Sequence, residues 1–180
     1  VIATTPGRQE WVQEALGSIS RPCVVVSGWG YELGKISWVL ENTTADRFLF
    51  IQDSMVIRDE SFFDLAFEAP GSCCLSCQGG CLNGYVGLYE RSVLERVGVP
   101  RVESKQDSIM FETQWTAEYI KHCQHFDHPV NSNFMEIKTI LKFGRENLVR
   151  VNQFFEKWYG TWDQSQLAEF DSKDDFLKGK

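Results

Sequence analysis

The sequence lacks any apolar run that approaches the roughly 20 residues of a membrane-spanning helix. It also lacks a charged segment followed by an apolar one, which is the pattern of a signal peptide. Acidic residues outnumber basic ones by 25 to 18, and the net charge of −7 leaves no basic stripe for nucleic acid. We therefore expect no transmembrane segment and no nucleic-acid partner. Internal repeats and low-complexity tracts are absent as well.

The six cysteines do not require an oxidising compartment in a chain of 180 residues. Four of them lie within Cys73–Cys81, where the adjacent Cys73 and Cys74 would point to opposite faces of any strand. This arrangement favours free thiols and a cytoplasmic location. The spacing from Cys74 through Cys77 to Cys81 is also close to that of a structural zinc site, which stays open as an alternative.

Hydrophobic residues make up 43% of the chain, including six Trp and thirteen Phe, so the sequence predicts a sizeable core. A chain of this length is most simply one domain. We predict a single domain over residues 1–162 and a polar C-terminal tail over 163–180.

Short apolar segments alternate with segments of helical spacing in the first half of the chain. The predicted strands are Val1–Thr5, Cys23–Ser27, Phe48–Ile51, Cys73–Cys77 and Tyr85–Tyr89. The predicted helices are the segment containing Trp11, Ala15 and Ile19, and Lys35–Glu41, Asp59–Glu68, Ser92–Val97, Phe111–Lys121 and Glu146–Tyr159. Two strands joined by a helix form a parallel βαβ unit. The pattern therefore predicts an α/β fold with helices on both faces of the sheet.

The segment Asp46–Ile57 (DRFLFIQDSMVI) is the one around which we expect the fold to be organised. Its apolar run Phe48–Ile51 predicts a strand buried on both faces, and this run stops abruptly at Gln52-Asp53-Ser54. Open α/β sheets bind ligands at the carboxyl ends of their strands. We therefore expect Asp53 to face a ligand, although a turn-forming Asp at the end of a strand is the simpler alternative.

Three blocks of sequence resemble, in their order and spacing, the GT-A fold glycosyltransferases of the family 2 type. The blocks are VIATTPGRQEWVQEALGSI, LGKISWVLENTTADRFLFIQDSMVIRDESFFDLAF and GLYERSVLERVGVP. The resemblance implies a three-layer α/β/α sandwich with a mainly parallel mixed sheet, of the nucleotide-diphospho-sugar transferase type. It also implies a hexosyltransferase-like enzyme that inverts the configuration of the anomeric carbon of the sugar. The donor would be a nucleotide-sugar such as a UDP-sugar, and the acceptor hydroxyl would belong to a sugar, a protein or a lipid-linked molecule.

The same resemblance implies a donor site and a metal site. The donor-binding residues would be Thr4, Thr5, Pro6, Gly7, Arg8, Ser27, Gly28, Trp29, Lys35, Gln52, Asp53 and Ser54. Mn²⁺ or Mg²⁺ would bind Asp53 and bridge it to the donor diphosphate, since such a cation prefers hard oxygen ligands. His128 would be a second protein ligand. Where the family shows Asp-x-Asp, this chain has Gln52-Asp53-Ser54.

An inverting transfer also needs a carboxylate that takes the proton of the acceptor hydroxyl. The resemblance places it at Asp107, with Glu112 as the second candidate. An Asp before Ser-Ile-Met-Phe-Glu is equally typical of a helix N-cap, so both interpretations of Asp107 stay open.

Two other functions remain open. The single carboxylate in Gln52-Asp53-Ser54 is compatible with a non-catalytic module that binds a nucleotide-sugar or a glycan. A nucleotidyltransferase of similar topology is less favoured, because those enzymes open with several glycines and TTPGRQ has one.

Overall fold

The computed structural model describes residues 1–28, 30–69, 71, 73–74, 77–78, 81–82, 86–122, 138–142, 147–151 and 153–158. The strands are β1 Ile2–Thr4, β2 Val25–Ser27, β3 Arg47–Gln52, β4 Met55–Ile57, β5 Cys73–Cys74, β6 Cys77–Gln78, β7 Cys81–Leu82, β8 Val86–Glu90, β9 Lys138–Lys142, β10 Asn147–Val151 and β11 Phe155–Trp158. The helices are α1 Gln9–Gly17, α2 Tyr31–Asn42, α3 Ser61–Glu68, α4 Arg91–Val97 and α5 Lys105–Ile120.

The main sheet has five strands in the order β2-β1-β3-β8-β5. Strand β1 pairs in parallel with β2 on one side and with β3 on the other, while β8 runs antiparallel to both β3 and β5. The fold is therefore α/β with a mixed sheet, and the parallel start that the sequence predicts is confirmed. None of the described helices is long and apolar enough to cross a membrane.

Strand β3 is buried along its whole apolar run, as predicted. Leu49 and Ile51 belong to a hydrophobic cluster with Ala15 of α1 and with three residues of α3. Phe48 and Phe50 alternate with them and belong to a second cluster that includes residues of α2, α4 and α5. Because alternate side chains of a strand point to opposite faces, β3 supplies apolar side chains to both clusters.

A second sheet has the order β4-β11-β10-β9, and in it β11 runs antiparallel to β4. This sheet overturns the predicted helix Glu146–Tyr159. Leu148, Val151, Phe155 and Trp158 do recur at helical intervals, but they lie on two strands, β10 and β11. Every residue of β11 is buried, so this strand shows no alternation of apolar and polar side chains. Burial on both faces hides the period of two by which a strand is recognised.

The parallel strands bring three loops to one edge of the main sheet. The carboxyl ends of β1, β2 and β3 lead into Thr5–Arg8, into Gly28–Gly30 and into Asp53-Ser54. Since β2 and β3 lie on opposite sides of β1, the chain runs from β1 to β2 in one direction and from β2 past β1 to β3 in the other. Such a reversal of strand order is where open α/β sheets form a ligand crevice.

Candidate functional site

Asp53 lies at the end of β3, and its carboxylate is held from the neighbouring loop. Its Oδ2 accepts hydrogen bonds from Thr4 Oγ1 at 2.7 Å and from Arg8 Nε at 2.7 Å. Its Oδ1 accepts a bond from Arg8 Nη2 at 2.9 Å, which makes the ion pair bidentate. The backbone amide of Asp53 donates to Ala3 O at 2.9 Å. The chain thus fixes Asp53 beside the Pro6 loop, with 5% of its surface exposed.

Arg8 is the more accessible partner of this pair. Its side chain is 27% exposed, against 6% for that of Asp53, and its guanidinium also lies 4.7 Å from the centre of the Trp11 ring. The turn that carries Arg8 needs Gly7, whose φ of 89° lies in the left-handed region. A bidentate guanidinium that is partly open to solvent has donors that an incoming anion can share.

Helix α2 brings a second cation to this edge. Lys35 is 5% exposed, and its Nζ donates to Tyr31 O at 2.9 Å. Burial lowers the pKa of Lys35, while the carboxylates of Glu32 and Asp53 act in the opposite direction. The buried ammonium is therefore less stable than one in water, and a nearby anion would stabilise it.

The start of α2 is strained. Tyr31 has a φ of 54°, in the left-handed region that bulky residues rarely adopt, directly after Gly30 at 91°. Such strain persists where the surrounding structure enforces it, and it is frequent at ligand sites. Here it lies where the loop after β2 enters α2, on the same edge of the sheet as Asp53.

Lys157 contributes a third cation from the far end of the chain. Strand β11 pairs Lys157 with Met55, and the amide of Trp158 donates to Ser54 O at 2.8 Å. The Lys157 ammonium consequently donates to Gln52 Oε1 and to Ser54 Oγ, the side chains on either side of Asp53. Gln52 in turn donates through Nε2 to Glu32 Oε1.

These side chains form one group, which we call the polar cluster. Its members are Thr4, Arg8, Glu32, Lys35, Gln52, Asp53, Ser54 and Lys157. It contains three cations, Arg8, Lys35 and Lys157, and two carboxylates, so its formal charge is one positive unit. Cationic side chains at a sheet edge are groups that an anionic ligand can contact.

The sequence pointed to most of the polar cluster but missed Lys157 and Glu32. Lys157 lies more than 100 positions from Gln52, within a segment predicted to be helical, and no local pattern connects the two. Glu32 lies just before the predicted start of the second helix, which in the structure begins earlier, at Tyr31. Only the pairing of β11 with β4 brings Lys157 to this edge.

The divalent cation implied by the resemblance does not fit this set of donors. Both oxygens of Asp53 accept bonds from Arg8 or Thr4, and the side-chain oxygens of Gln52 and Ser54 face the ammonium of Lys157. The described residues include no group of three or more His, Cys, Asp or Glu side chains that could hold a metal. His128, the predicted second ligand, lies outside the described residues.

The other predicted donor-site residues that the structure describes lie on the same edge. Thr5 is buried next to Thr4, and Pro6 is exposed in the turn. Ser27 ends β2, and a Cβ added to Gly28 would meet nothing within 4 Å. Trp29 lies outside the described residues. Their role in binding a nucleotide-sugar stays a prediction.

Asp107 belongs to the first turn of α5, where it forms a capping box with Ser104. The amide of Asp107 donates to Ser104 Oγ at 3.1 Å, and the amide of Ser104 donates to Asp107 Oδ2 at 2.9 Å. The N-cap is thus Ser104, so the interpretation of Asp107 as the N-cap itself is wrong by three residues. The helix also begins earlier than the predicted Phe111.

The start of α5 lies close to the start of α2. A Cβ added to Gly30 would lie 4.0 Å from Val102 O, just before the capping box. This proximity brings the first turn of α5 to the side of the sheet on which the loop after β2 emerges. The side chain of Glu112, the second candidate base, lies outside the described residues. The same applies to the side chains of Cys73–Cys81, so the zinc alternative stays open.

Comparison with known proteins adds no further identification. The sequence matches no protein-family model, no curated protein and no solved structure. The functional argument therefore depends on the geometry of the polar cluster.

Proposed function

We propose that this chain is a glycosyltransferase that binds a nucleoside-diphosphate-sugar at the polar cluster and transfers the sugar to an acceptor hydroxyl. The observation that carries the proposal is Asp53, buried at the carboxyl end of β3 and held by Thr4 and Arg8 of the loop after β1. This is the edge at which open α/β sheets bind nucleotides. The fold belonging to this proposal is the three-layer α/β/α sandwich of the GT-A type.

The donor diphosphate is the part of the substrate that the polar cluster suits best. Arg8 presents a planar guanidinium that can bond phosphate oxygens in pairs. Lys35 and Lys157 add two buried ammonium groups, each 5% exposed or less. In this arrangement Asp53 is a positioning residue that orients Arg8, and the loop at Gly28–Gly30 lies where the nucleoside would bind.

The chemical step is a displacement at the anomeric carbon. The acceptor oxygen forms a bond to that carbon while the bond to the diphosphate oxygen breaks, and the diphosphate leaves with the electron pair. The hydroxyl proton passes to a carboxylate, for which we propose Asp107 with Glu112 as the alternative. The cations of the polar cluster stabilise the charge that develops on the leaving diphosphate. Attack on the face opposite the leaving group inverts the configuration of the anomeric carbon.

A second candidate is a module that binds nucleotide-sugars without turning them over. The observation that favours it is the capping box, because Asp107 Oδ2 already accepts bonds from the amides of Ser104 and Glu103, at 2.9 and 3.4 Å. A carboxylate oxygen engaged in this way is less available to a substrate hydroxyl. Binding without hydrolysis or transfer would support this candidate.

Thermal unfolding in the presence of UDP-, GDP-, ADP- and dTDP-hexoses tests the proposal. A ligand that binds only the native state stabilises it by about 2.7 kcal/mol at 100 times Kd. For a chain of this size that is a rise in Tm of roughly 5–10 °C. We expect one of these donors to raise Tm and then to undergo hydrolysis or transfer. The absence of any shift across the four donors would contradict the proposal.

Asp53→Asn tests whether turnover depends on the polar cluster. It keeps the shape of the side chain but removes the charge that holds Arg8, so we expect turnover to fall by about 100-fold. Asp64→Asn is the matched control, because Asp64 also pairs with an arginine, Arg21, but on an exposed surface. Turnover by Asp53→Asn at the rate of Asp64→Asn would refute the role of this carboxylate.

A further inference from the structure

We propose that Trp11 is a positioning residue for the polar cluster: its ring fixes the orientation of the Arg8 guanidinium, so that the N–H groups not used by Asp53 receive the donor diphosphate. This inference rests on the proposed function and deepens it, because it adds a residue that determines how tightly the diphosphate binds. Trp11 would act through Arg8 rather than on the substrate.

The Arg8 guanidinium is held by two contacts of different kinds. It donates to both oxygens of Asp53, from Nε at 2.7 Å and from Nη2 at 2.9 Å. Its central carbon also lies over the ring of Trp11, 4.7 Å from the ring centre. Arginine favours such contacts with aromatic faces, and tryptophan provides the strongest of them. The hydrogen bonds fix one edge of the guanidinium and the ring fixes its position beside α1, so together they restrict a rotation that either contact alone would permit.

Helix α1 determines where the ring lies. Trp11 follows Arg8 by three residues, in the first turn of the helix, and the amide of Val12 donates to Arg8 O at 3.1 Å. Residues three apart are neighbours on the surface of a helix. Ala15, one turn after Trp11, is fully buried in the hydrophobic cluster that includes Leu49 of β3. The position of the Trp11 ring is therefore fixed by a helix that packs against the core.

An aromatic ring holds a guanidinium without using its donors. A guanidinium has five N–H groups, of which Asp53 accepts two. None of the other residues that the structure describes accepts a bond from the remaining three. A second carboxylate in place of Trp11 would accept some of them and would compete with a phosphate. The side chain of Arg8 is 27% exposed, so an incoming diphosphate can reach these donors.

Calorimetric titration with inorganic pyrophosphate, in EDTA and again with excess Mg²⁺, tests this inference. Trp11→Leu keeps an apolar side chain but removes the ring, so we expect binding to weaken by about 3- to 10-fold, as for the loss of a partly exposed cation–π contact. Trp11→Phe should recover much of the affinity, because a ring remains. Trp38→Leu is the matched control, since Trp38 of α2 is 39% exposed, and it should bind as the wild type does.

Tryptophan fluorescence during the same titration distinguishes a positioning role from a purely structural one. Pyrophosphate bound to Arg8 brings negative charge close to the Trp11 ring, so we expect the wild-type emission to change with the midpoint that calorimetry gives. Most of this change should be lost in Trp11→Phe, which still binds, and retained in Trp38→Phe. An equal change in Trp11→Phe and wild type would overturn the inference, and this comparison does not depend on whether Trp11→Leu folds.

Failure of this inference and failure of the proposed function give different results. Equal affinities of folded Trp11→Leu and wild type would overturn the role of Trp11 and leave the glycosyltransferase proposal standing. No binding of pyrophosphate by the wild type in either condition would overturn both. Weaker binding by Trp11→Leu, with recovery in Trp11→Phe, would support the inference. A melting curve shows whether each variant is folded.

Discussion

At the scale of single residues, the protein keeps three charged groups of the polar cluster buried. Asp53, Lys35 and Lys157 are each exposed by 5% or less, and all three belong to the polar cluster. Buried ionic groups are weak evidence for stability, since well-packed apolar replacements are often neutral or stabilising. Their presence together at one sheet edge is the feature that the proposed function explains.

Lys35→Met should consequently stabilise the protein. We expect the free energy of unfolding at pH 7 to rise by about 1 kcal/mol, as is common when a strained functional position is relieved. The pKa of Lys35 is lowered by burial from its usual 10.5. Between the lowered pKa and 10.5 the unfolded chain binds more protons than the native one, so wild-type stability rises with pH in that interval. The advantage of Lys35→Met should therefore shrink as the pH approaches 10.5.

Urea unfolding of Lys35→Met and wild type between pH 7 and pH 10 measures this difference. Lys121→Met is the matched control, because the Lys121 side chain is 68% exposed, and it should not stabilise the protein at pH 7. The same Lys35→Met variant should also bind pyrophosphate more weakly. A variant that is less stable than wild type at pH 7, or a difference that does not change with pH, would contradict the prediction.

At the scale of elements, the helix starts are determined by local contacts that the sequence displays only in part. Helix α5 has a complete capping box at Ser104 and Asp107, whereas α1, α2, α3 and α4 have no side-chain hydrogen bond at their N-caps. The apolar spacing alone predicted a helix that begins at Phe111. Because the capping residues are polar, the apolar spacing cannot locate them, and the first six residues of the helix were missed.

Ser104→Ala should destabilise the protein by about 1 kcal/mol, the usual cost of losing an N-cap side chain. The Ser104 hydroxyl accepts the amide of Asp107, and that amide has no other intrahelical acceptor in the first turn. Ser92→Ala is the matched control, because Ser92 is exposed within α4 and Ala is the better helix former. Denaturant unfolding measures both variants. Equal midpoints for the two would show that the capping box contributes nothing.

At the scale of the whole molecule, the late segment completes the core formed by the first half of the chain. Phe155 of β11 is fully buried, and its ring lies 5.8 Å from that of Phe62 in α3 in an edge-on arrangement. Phe154 is buried in the same hydrophobic cluster. The strand that brings Lys157 to the polar cluster is therefore also part of the core, so folding and assembly of the site are coupled.

Phe155→Ala should cost about 3–5 kcal/mol, because it leaves a cavity in a fully packed region. This is a large fraction of the 5–15 kcal/mol typical of a domain. Phe67→Ala is the control, since Phe67 on α3 is 43% exposed and its truncation leaves no buried cavity. Thermal or denaturant unfolding compares the two. A Phe155→Ala variant as stable as Phe67→Ala would mean that β11 is not an integral part of this core.

The sequence by itself determined the elements that depend on neighbouring residues. It was sufficient for the parallel start of the sheet, for the strand Phe48–Ile51 buried on both faces, and for a carboxylate at the end of that strand. Apolar runs and turn residues act over a few positions, so they can be read directly from the chain. For the same reason the sequence could suggest Asp53 as a site residue without knowing which residues surround it.

Only the tertiary structure decided what surrounds Asp53. The bidentate partner Arg8 is 45 positions away, and Lys157 is 105 positions from Gln52. The strand that carries Lys157 is buried on all sides, which removed the alternation that would have distinguished it from a helix. Pairing between distant strands is set by the packing of the whole chain, and it left an ammonium, rather than a second carboxylate, beside the turn that follows β3.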